Sequence, residues 1–216
     1  MTVKNAERYL SETLDSVFAQ TLLPDEILIV DDHSTDGTLD TIKNYGPKIQ
    51  ILNNKNMGMA EAFNLAIPLV TKNFITFLDG DDLWLPTKAE KQINFLLANP
   101  EFDTVCSSVL NFKKNVDTDS AFQSSRTFGP SRLFTATTFR KEVFDKFGLL
   151  DPTAGHFGWI SDWWSRASDL GIRCGMIEEV LFHRRIHSSN SWVENRELGN
   201  KTLIEIARRN IHRRNN

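Results

Sequence analysis

The 216-residue chain has 25 basic and 28 acidic side chains, and its formal charge of −3 leaves no general electrostatic footprint for nucleic acid. A hydrophobic content of 40% with 25% charged residues belongs to a folded globular chain and excludes disordered and fibrous classes. Only Cys106 and Cys174 are present, without metal-type spacing, and neither a signal peptide nor an apolar run of membrane-spanning length is found, so a reducing, cytoplasmic setting is expected.

Residues 6–20 place Leu10, Leu14, Val17 and Phe18 on one helical face, with Asn5 where a cap is expected. Pro24 closes that unit. Residues 26–30 are a short apolar run that reads as a strand buried on both faces, and it breaks off at Asp31-Asp32-His33-Ser34-Thr35-Asp36-Gly37-Thr38. A helix over residues 38–44, a strand over residues 49–52 and a helix over residues 58–69 follow. Residues 74–78 form a second apolar strand that runs into Asp79-Gly80-Asp81-Asp82, where Gly80 is expected to supply a sharp turn. Leu85-Pro86 opens a helix to about residue 98, with Pro86 tolerated in its first turn.

The second half is less regular. Strands are expected over residues 104–110, 134–139 and 180–185, a polar loop over residues 113–131, and helices over residues 141–147 and 162–170. A closing helix runs from Trp192 to about residue 213 and carries the basic pairs Arg208-Arg209 and Arg213-Arg214. Those pairs read either as a solvated helix end or as a peripheral contact at the inner face of the membrane. No repeat and no long linker divides the chain, so a single domain is expected.

Strands alternating with helices imply an α/β fold with a mainly parallel central sheet. Ligands of such sheets sit beyond the carboxyl ends of the strands, and here two strands end in acidic clusters on that same edge. Asp79, Asp81 and Asp82 repel one another at such close spacing. A divalent cation with oxygen ligands, its shell completed by phosphate, would relieve that repulsion; a solvated acidic turn is the alternative.

The segment Ile27-Leu28-Ile29-Val30-Asp31-Asp32-His33 resembles the start of a phosphoacceptor receiver domain, with Asp79 as the acceptor. A receiver needs a later strand ending in Lys before Pro; residues 104–139 contain no Lys-Pro, and Lys113-Lys114 come too early. A broader resemblance runs along nearly the whole chain. Asn5-Ala6-Glu7-Arg8-Tyr9-Leu10 with Ser16-Val17-Phe18-Ala19-Gln20-Thr21, the Asp31 to Thr38 turn, Asn56-Met57-Gly58 with Asn64, and Phe77-Leu78-Asp79-Gly80-Asp81-Asp82-Leu83-Trp84 follow in order. Residues 139–148, 158–166 and His183-Arg184-Arg185-Ile186-His187-Ser188-Ser189-Asn190 complete it. Together these resemble family 2 glycosyltransferases, which have the three-layer, Rossmann-like GT-A fold.

The resemblance implies an inverting transfer of a sugar from a nucleotide diphosphate sugar, UDP-linked, to an acceptor hydroxyl on a saccharide, a lipid-linked carrier or a protein. Residues 1–110 would form the nucleotide-sugar half, residues 111–190 the acceptor half, and residues 191–216 the C-terminal helix. Asp31 would contact the nucleobase with Asp32 beside it, and Asp79 the ribose or sugar. Asp81 would hold Mn²⁺ or Mg²⁺ with His187, an imidazole being a competent ligand for Mn²⁺. Asp82 would orient its neighbours or cap the next helix. Arg184 and Arg185 would meet the phosphates, although alternation on a strand lets only one of them face that way. Asp162 is the candidate general base, in a setting where desolvation by Trp163 and Trp164 strengthens a carboxylate base; an N-cap is the alternative role. Trp163 and Trp164 would line the acceptor site. The chain departs from the pattern at Trp159, where many relatives carry Glu, and at Phe63, where many carry Arg. Only Met1-Thr2-Val3-Lys4 precedes Asn5, so the first strand of the fold is expected to be missing, with a non-catalytic sugar- or partner-binding remnant as the alternative function.

Overall fold

The computed structural model describes residues 1–113, 123–129, 131–155, 158–187, 201–202 and 204–209. The first sheet is parallel, built from β1 (Thr2–Val3), β2 (Ile27–Asp31) and β3 (Ile49–Asn53) in that spatial order. Strand β2 is central, and its alternating side chains are buried on both faces, as an unbroken apolar run requires. On one face Ile29 packs with Val3, Leu10, Leu14, Ile42 and Ile49 under α1 (Glu7–Phe18) and α2 (Thr38–Lys43). On the other Val30 meets Ala62 and Ala66 of α3 (Met59–Ala66), where small side chains let the helix approach closely.

The second sheet consists of β4 (Phe74–Thr76), β5 (Leu83–Trp84), β6 (Thr104–Lys113), β7 (Gln123–Phe128), β8 (Thr137–Arg140) and β9 (Cys174–Arg185). Its order is β4-β8-β6-β9-β5, with β7 also paired to β6. The α/β class holds, but this sheet is mixed rather than mainly parallel: β6 and β9 run parallel and the other pairings are antiparallel. The reason lies in the connections. Chain that returns through a hairpin such as β6–β7 must run antiparallel, whereas β9 reaches β6 after a long crossover. That crossover contains α5 (Glu142–Phe147) and α6 (Trp159–Asp169). Part of the expected loop over residues 113–131 is therefore strand β7.

The expectation of a missing first strand is corrected. Thr2 and Val3 pair with Val30 and Asp31 of β2, and Thr2 also bridges to Asp79. This two-residue strand joins the two sheets at the point where both acidic segments emerge. A run so short shows no hydrophobic period, so its pairing is set by its neighbours rather than by its own pattern.

Helix α4 (Lys88–Ala98) and helix α6 cover the second sheet. The largest apolar cluster lies there, built from Phe63, Phe77, Phe134, Phe139, Phe144, Trp159, Trp163 and Trp164 among others, and it takes in Ile206. Residues 201–202 and 204–209 are helical, as expected of the closing helix. Trp192, the Ser188-Ser189-Asn190 end of the basic-His segment, and Arg213-Arg214 lie outside the described residues.

Candidate active site

Strand β1 sets the geometry of the site. Val3 is paired with Asp31 on one side and Thr2 with Asp79 on the other. Neighbouring strands lie about 4.8 Å apart, so the two carboxylate-bearing strand ends are separated by roughly 10 Å across β1. Asp31, at the end of β2, is buried and accepts from the main-chain N–H of Ser34 at 3.2 Å. Asp32 is occupied structurally: it accepts from Asn54 Nδ2 at 2.7 Å and from the Gly58 N–H at 3.1 Å, tying β2 to the start of α3. Of the predicted pair, Asp31 is thus the one whose side-chain contact stays within its own turn.

The Asp36 carboxylate and Thr38 hydroxyl in the same turn cap the start of α1, accepting from Glu7 N at 3.2 Å and Ala6 N at 2.8 Å. Asn5 does not cap the helix, as the sequence suggests; its Oδ1 accepts from the Thr35 N–H at 2.8 Å. The polar turn after β2 and the N-terminus of α1 are one interlocked unit.

Around Asp79-Gly80-Asp81-Asp82 the charges are crowded. Burial, and then the nearby Asp81 carboxylate, push Asp79 up to about 7, against the positive charge of Arg184. Asp82 is raised for the same reasons, with burial foremost. It accepts from the Arg185 main-chain N–H at 2.7 Å and is followed by β5 rather than by a helix, so it does not cap one. Asp81 and His187 are brought together: Asp81 Oδ2 lies 2.8 Å from His187 Nε2, and the imidazole packs on Tyr9 in a tilted arrangement with centroids 4.8 Å apart.

The two adjacent arginines do alternate. Arg185 is fully buried, donates from Nε to the Asp81 carbonyl and from Nη2 to Glu12 Oε2, both at 2.7 Å, and is removed from the phosphate side by that enclosure. Its expected phosphate contact is corrected, while the charge of Arg184 acts on Asp79 and Asp82.

Asp162 is in the first turn of α6, which starts three residues earlier than the sequence suggested, so it is not an N-cap. It is buried and paired with Arg166 Nε at 2.7 Å, one helical turn on, and that opposite charge offsets its burial. Trp163 and Trp164 do not line an acceptor site. Both are buried in the aromatic core, with their indole N–H groups donated to the carbonyls of Gly148 and Arg132. Helical spacing beside Asp162 carried no sign of which face they occupy.

A carboxylate oxygen and an imidazole nitrogen converging at one point are suitable donors for Mn²⁺ or Mg²⁺. Among the described residues no group of three or more His, Cys, Asp or Glu side chains could hold a metal by itself. Tyr9 and Glu12 are the site residues that sequence reasoning missed; their signal was a shared face of α1, three positions apart.

Residues 1–158 match the family described as Glycosyl transferase family 2. The chain belongs to that family. An uncharacterized glycosyltransferase of Rickettsia prowazekii is 36% identical over 205 residues, covering 88% of this chain and 63% of the relative. A UDP-Glc:α-D-GlcNAc-diphosphoundecaprenol β-1,3-glucosyltransferase of Escherichia coli is 38% identical over 97 residues, covering 44% of this chain and 38% of that protein. Among solved structures, a mannosyltransferase of Pyrobaculum calidifontis in complex with GDP-Man and Mn²⁺ superposes over 96% of this chain and 62% of its own, with a TM-score of 0.71 at 18% identity. The α/β architecture of this family 2 chain is accordingly the GT-A fold. Among its described residues no helix is long and apolar enough to cross a membrane.

Proposed function

We propose that the chain catalyses inverting transfer of a sugar from a UDP-linked donor to an acceptor hydroxyl. The observation that carries this reading is the placement of Asp31 and Asp79 on the two sides of β1, with Asp81 and His187 converging beside Asp79. A nucleoside diphosphate laid across β1 would have its base at the Asp31 turn and its phosphates at Asp81. A divalent cation, Mn²⁺ or Mg²⁺, held by Asp81 and His187 would neutralise charge on the departing diphosphate. Arg184 adds positive charge on the same side. Asp162 takes the proton of the acceptor hydroxyl as its oxygen bonds to the anomeric carbon and the sugar–phosphate bond breaks, which inverts that centre. The UDP donor named for the E. coli relative and the Mn²⁺ in the mannosyltransferase complex support this reading. The acceptor is a saccharide, a lipid-linked carrier or a protein, and the peripheral membrane contact through Arg208-Arg209 would suit the lipid-linked case.

Calorimetry with UDP-glucose, with and without Mn²⁺, tests the donor site. Asp81→Ala is expected to abolish the metal-dependent part of binding. Asp162→Asn should keep donor affinity while turnover falls by on the order of 10²–10⁴-fold, the usual worth of a general base. Donor affinity unchanged in Asp81→Ala would overturn the metal role.

A further inference from the structure

Arg185 is a charged side chain with no exposed surface, enclosed between two rings, directly behind the Asp81–His187 pair. Its guanidinium carbon lies 4.7 Å from the Tyr9 ring centroid and 4.6 Å from that of Phe112. Its three assigned donors are spent on three different points: the Asp81 carbonyl, Glu12 Oε2 and, through the main chain, Asp82 Oδ1. The Nη1 group has no hydrogen-bond partner among the described residues and is fully enclosed, so it offers nothing to an incoming phosphate. Tyr9 is shared: one ring packs on both Arg185 and the His187 imidazole. Helix α1, strand β9 and the acidic segment therefore meet at one guanidinium.

Burying a cation this completely is costly unless its partners are fixed, and Arg is suited to it because its planar fork both stacks and donates in set directions. We propose that Arg185 is a positioning residue, held by Glu12 and the Tyr9 and Phe112 rings, that fixes the Asp81 main chain and, through Tyr9, the His187 ring so that the two side chains converge. The proposal rests on the reading of Asp81 and His187 as the metal-diphosphate site. It extends that site to α1 through Tyr9 and Glu12.

The consequence is geometric and can be read without donor or metal. In the metal-free protein the ¹⁵N resonances of the His187 imidazole report its pairing with Asp81. Tyr9→Phe keeps the ring and should leave those resonances unchanged, whereas Tyr9→Leu, Glu12→Gln and Arg185→Lys should each shift them toward those of an unpaired, solvated imidazole. In the same variants Mn²⁺ affinity in the presence of UDP, measured by electron paramagnetic resonance, should fall by about tenfold or more, the usual cost of losing support behind a metal ligand. Glu12 is partly exposed, with 36% of its side chain accessible, so Glu12→Gln keeps the test open if Arg185→Lys fails to fold. Parent-like His187 resonances in both Tyr9→Leu and Glu12→Gln would overturn the proposal. A parent protein that shows the paired resonances and their loss in these variants, yet binds no Mn²⁺ with UDP, would uphold the positioning and refute the metal reading instead.

Discussion

Gly80 holds its place in the acidic segment through crowding rather than through a special turn. It is not among the glycines with positive φ, although the sequence suggests a sharp bend there. A Cβ added to it would sit 3.0 Å from Ala6 Cβ and 3.1 Å from Val3 Cγ1. Val3 lies in β1 and Ala6 is the N-cap residue of α1, so relief requires the Val3 side chain, β1, the start of α1 or the acidic segment to give by a few tenths of an ångström. Gly80→Ala is expected to cost about 1–3 kcal/mol as an overpacked contact. Since Asp79 and Asp81 flank the displaced residue, UDP-sugar affinity should fall along with the melting temperature. A thermal scan and a calorimetric titration read the two effects, and an unchanged melting temperature would show that the contact yields freely. The proline-free, glycine-containing acidic turn was legible as a candidate site, but the reason for its glycine was not. That reason lies in a strand two residues long, and no local pattern announces it.

At the scale of elements, the sequence announced what each segment is better than what it touches. The apolar run of β2, the amphipathic face of α1 and the acidic strand ends are local patterns, and all three stand where their periodicity put them. Partners across the chain are not local. The cap of α1 comes from Asp36 and Thr38, about thirty residues downstream, while the adjacent Asn5 bonds the other way to Thr35. Phe63 and Trp159, the two departures from the family pattern, are 96 positions apart yet pack together with centroids 5.5 Å apart in the aromatic core. The cap gives a direct test. Asp36→Ala removes an acceptor for Glu7 N, and also acceptors for Thr38 N and Thr38 Oγ1. A loss of about 1 kcal/mol is expected, typical of an N-cap. It should appear as a lower urea midpoint at unchanged slope. No change in the midpoint would mean that Thr38 alone suffices to hold the helix start.

At the scale of the whole molecule, Lys88 joins the second sheet to α4 and makes the stability of the fold depend on pH. Its side chain is fully buried. The amine donates to Thr76 Oγ1 and Gln92 Oε1, each at 2.9 Å, and lies 4.6 Å from the Trp84 ring centroid. Gln92 in turn accepts from Thr138 and donates to the Ala136 carbonyl, so one polar chain ties β4, α4 and β8. Two neutral acceptors and a ring favour the ammonium, but burial outweighs them and lowers its pKa to about 7. The sign follows from proton counting. Between pH 7 and the ordinary lysine value near 10.4, the unfolded chain binds this proton and the folded chain does not, so unfolding free energy rises with pH across that window. The slope from this one group is at most about 1.4 kcal/mol per pH unit. Below pH 7 both states carry the proton, and the contribution levels off at its least favourable value. Lys88→Met keeps a flexible chain of similar length without the titrating amine. Urea denaturation at pH 7.5 and pH 9.5 should therefore show the parent gaining stability relative to Lys88→Met as pH rises. A constant difference between the two proteins over that range would mean that the buried amine keeps its proton, held by Thr76, Gln92 and Trp84.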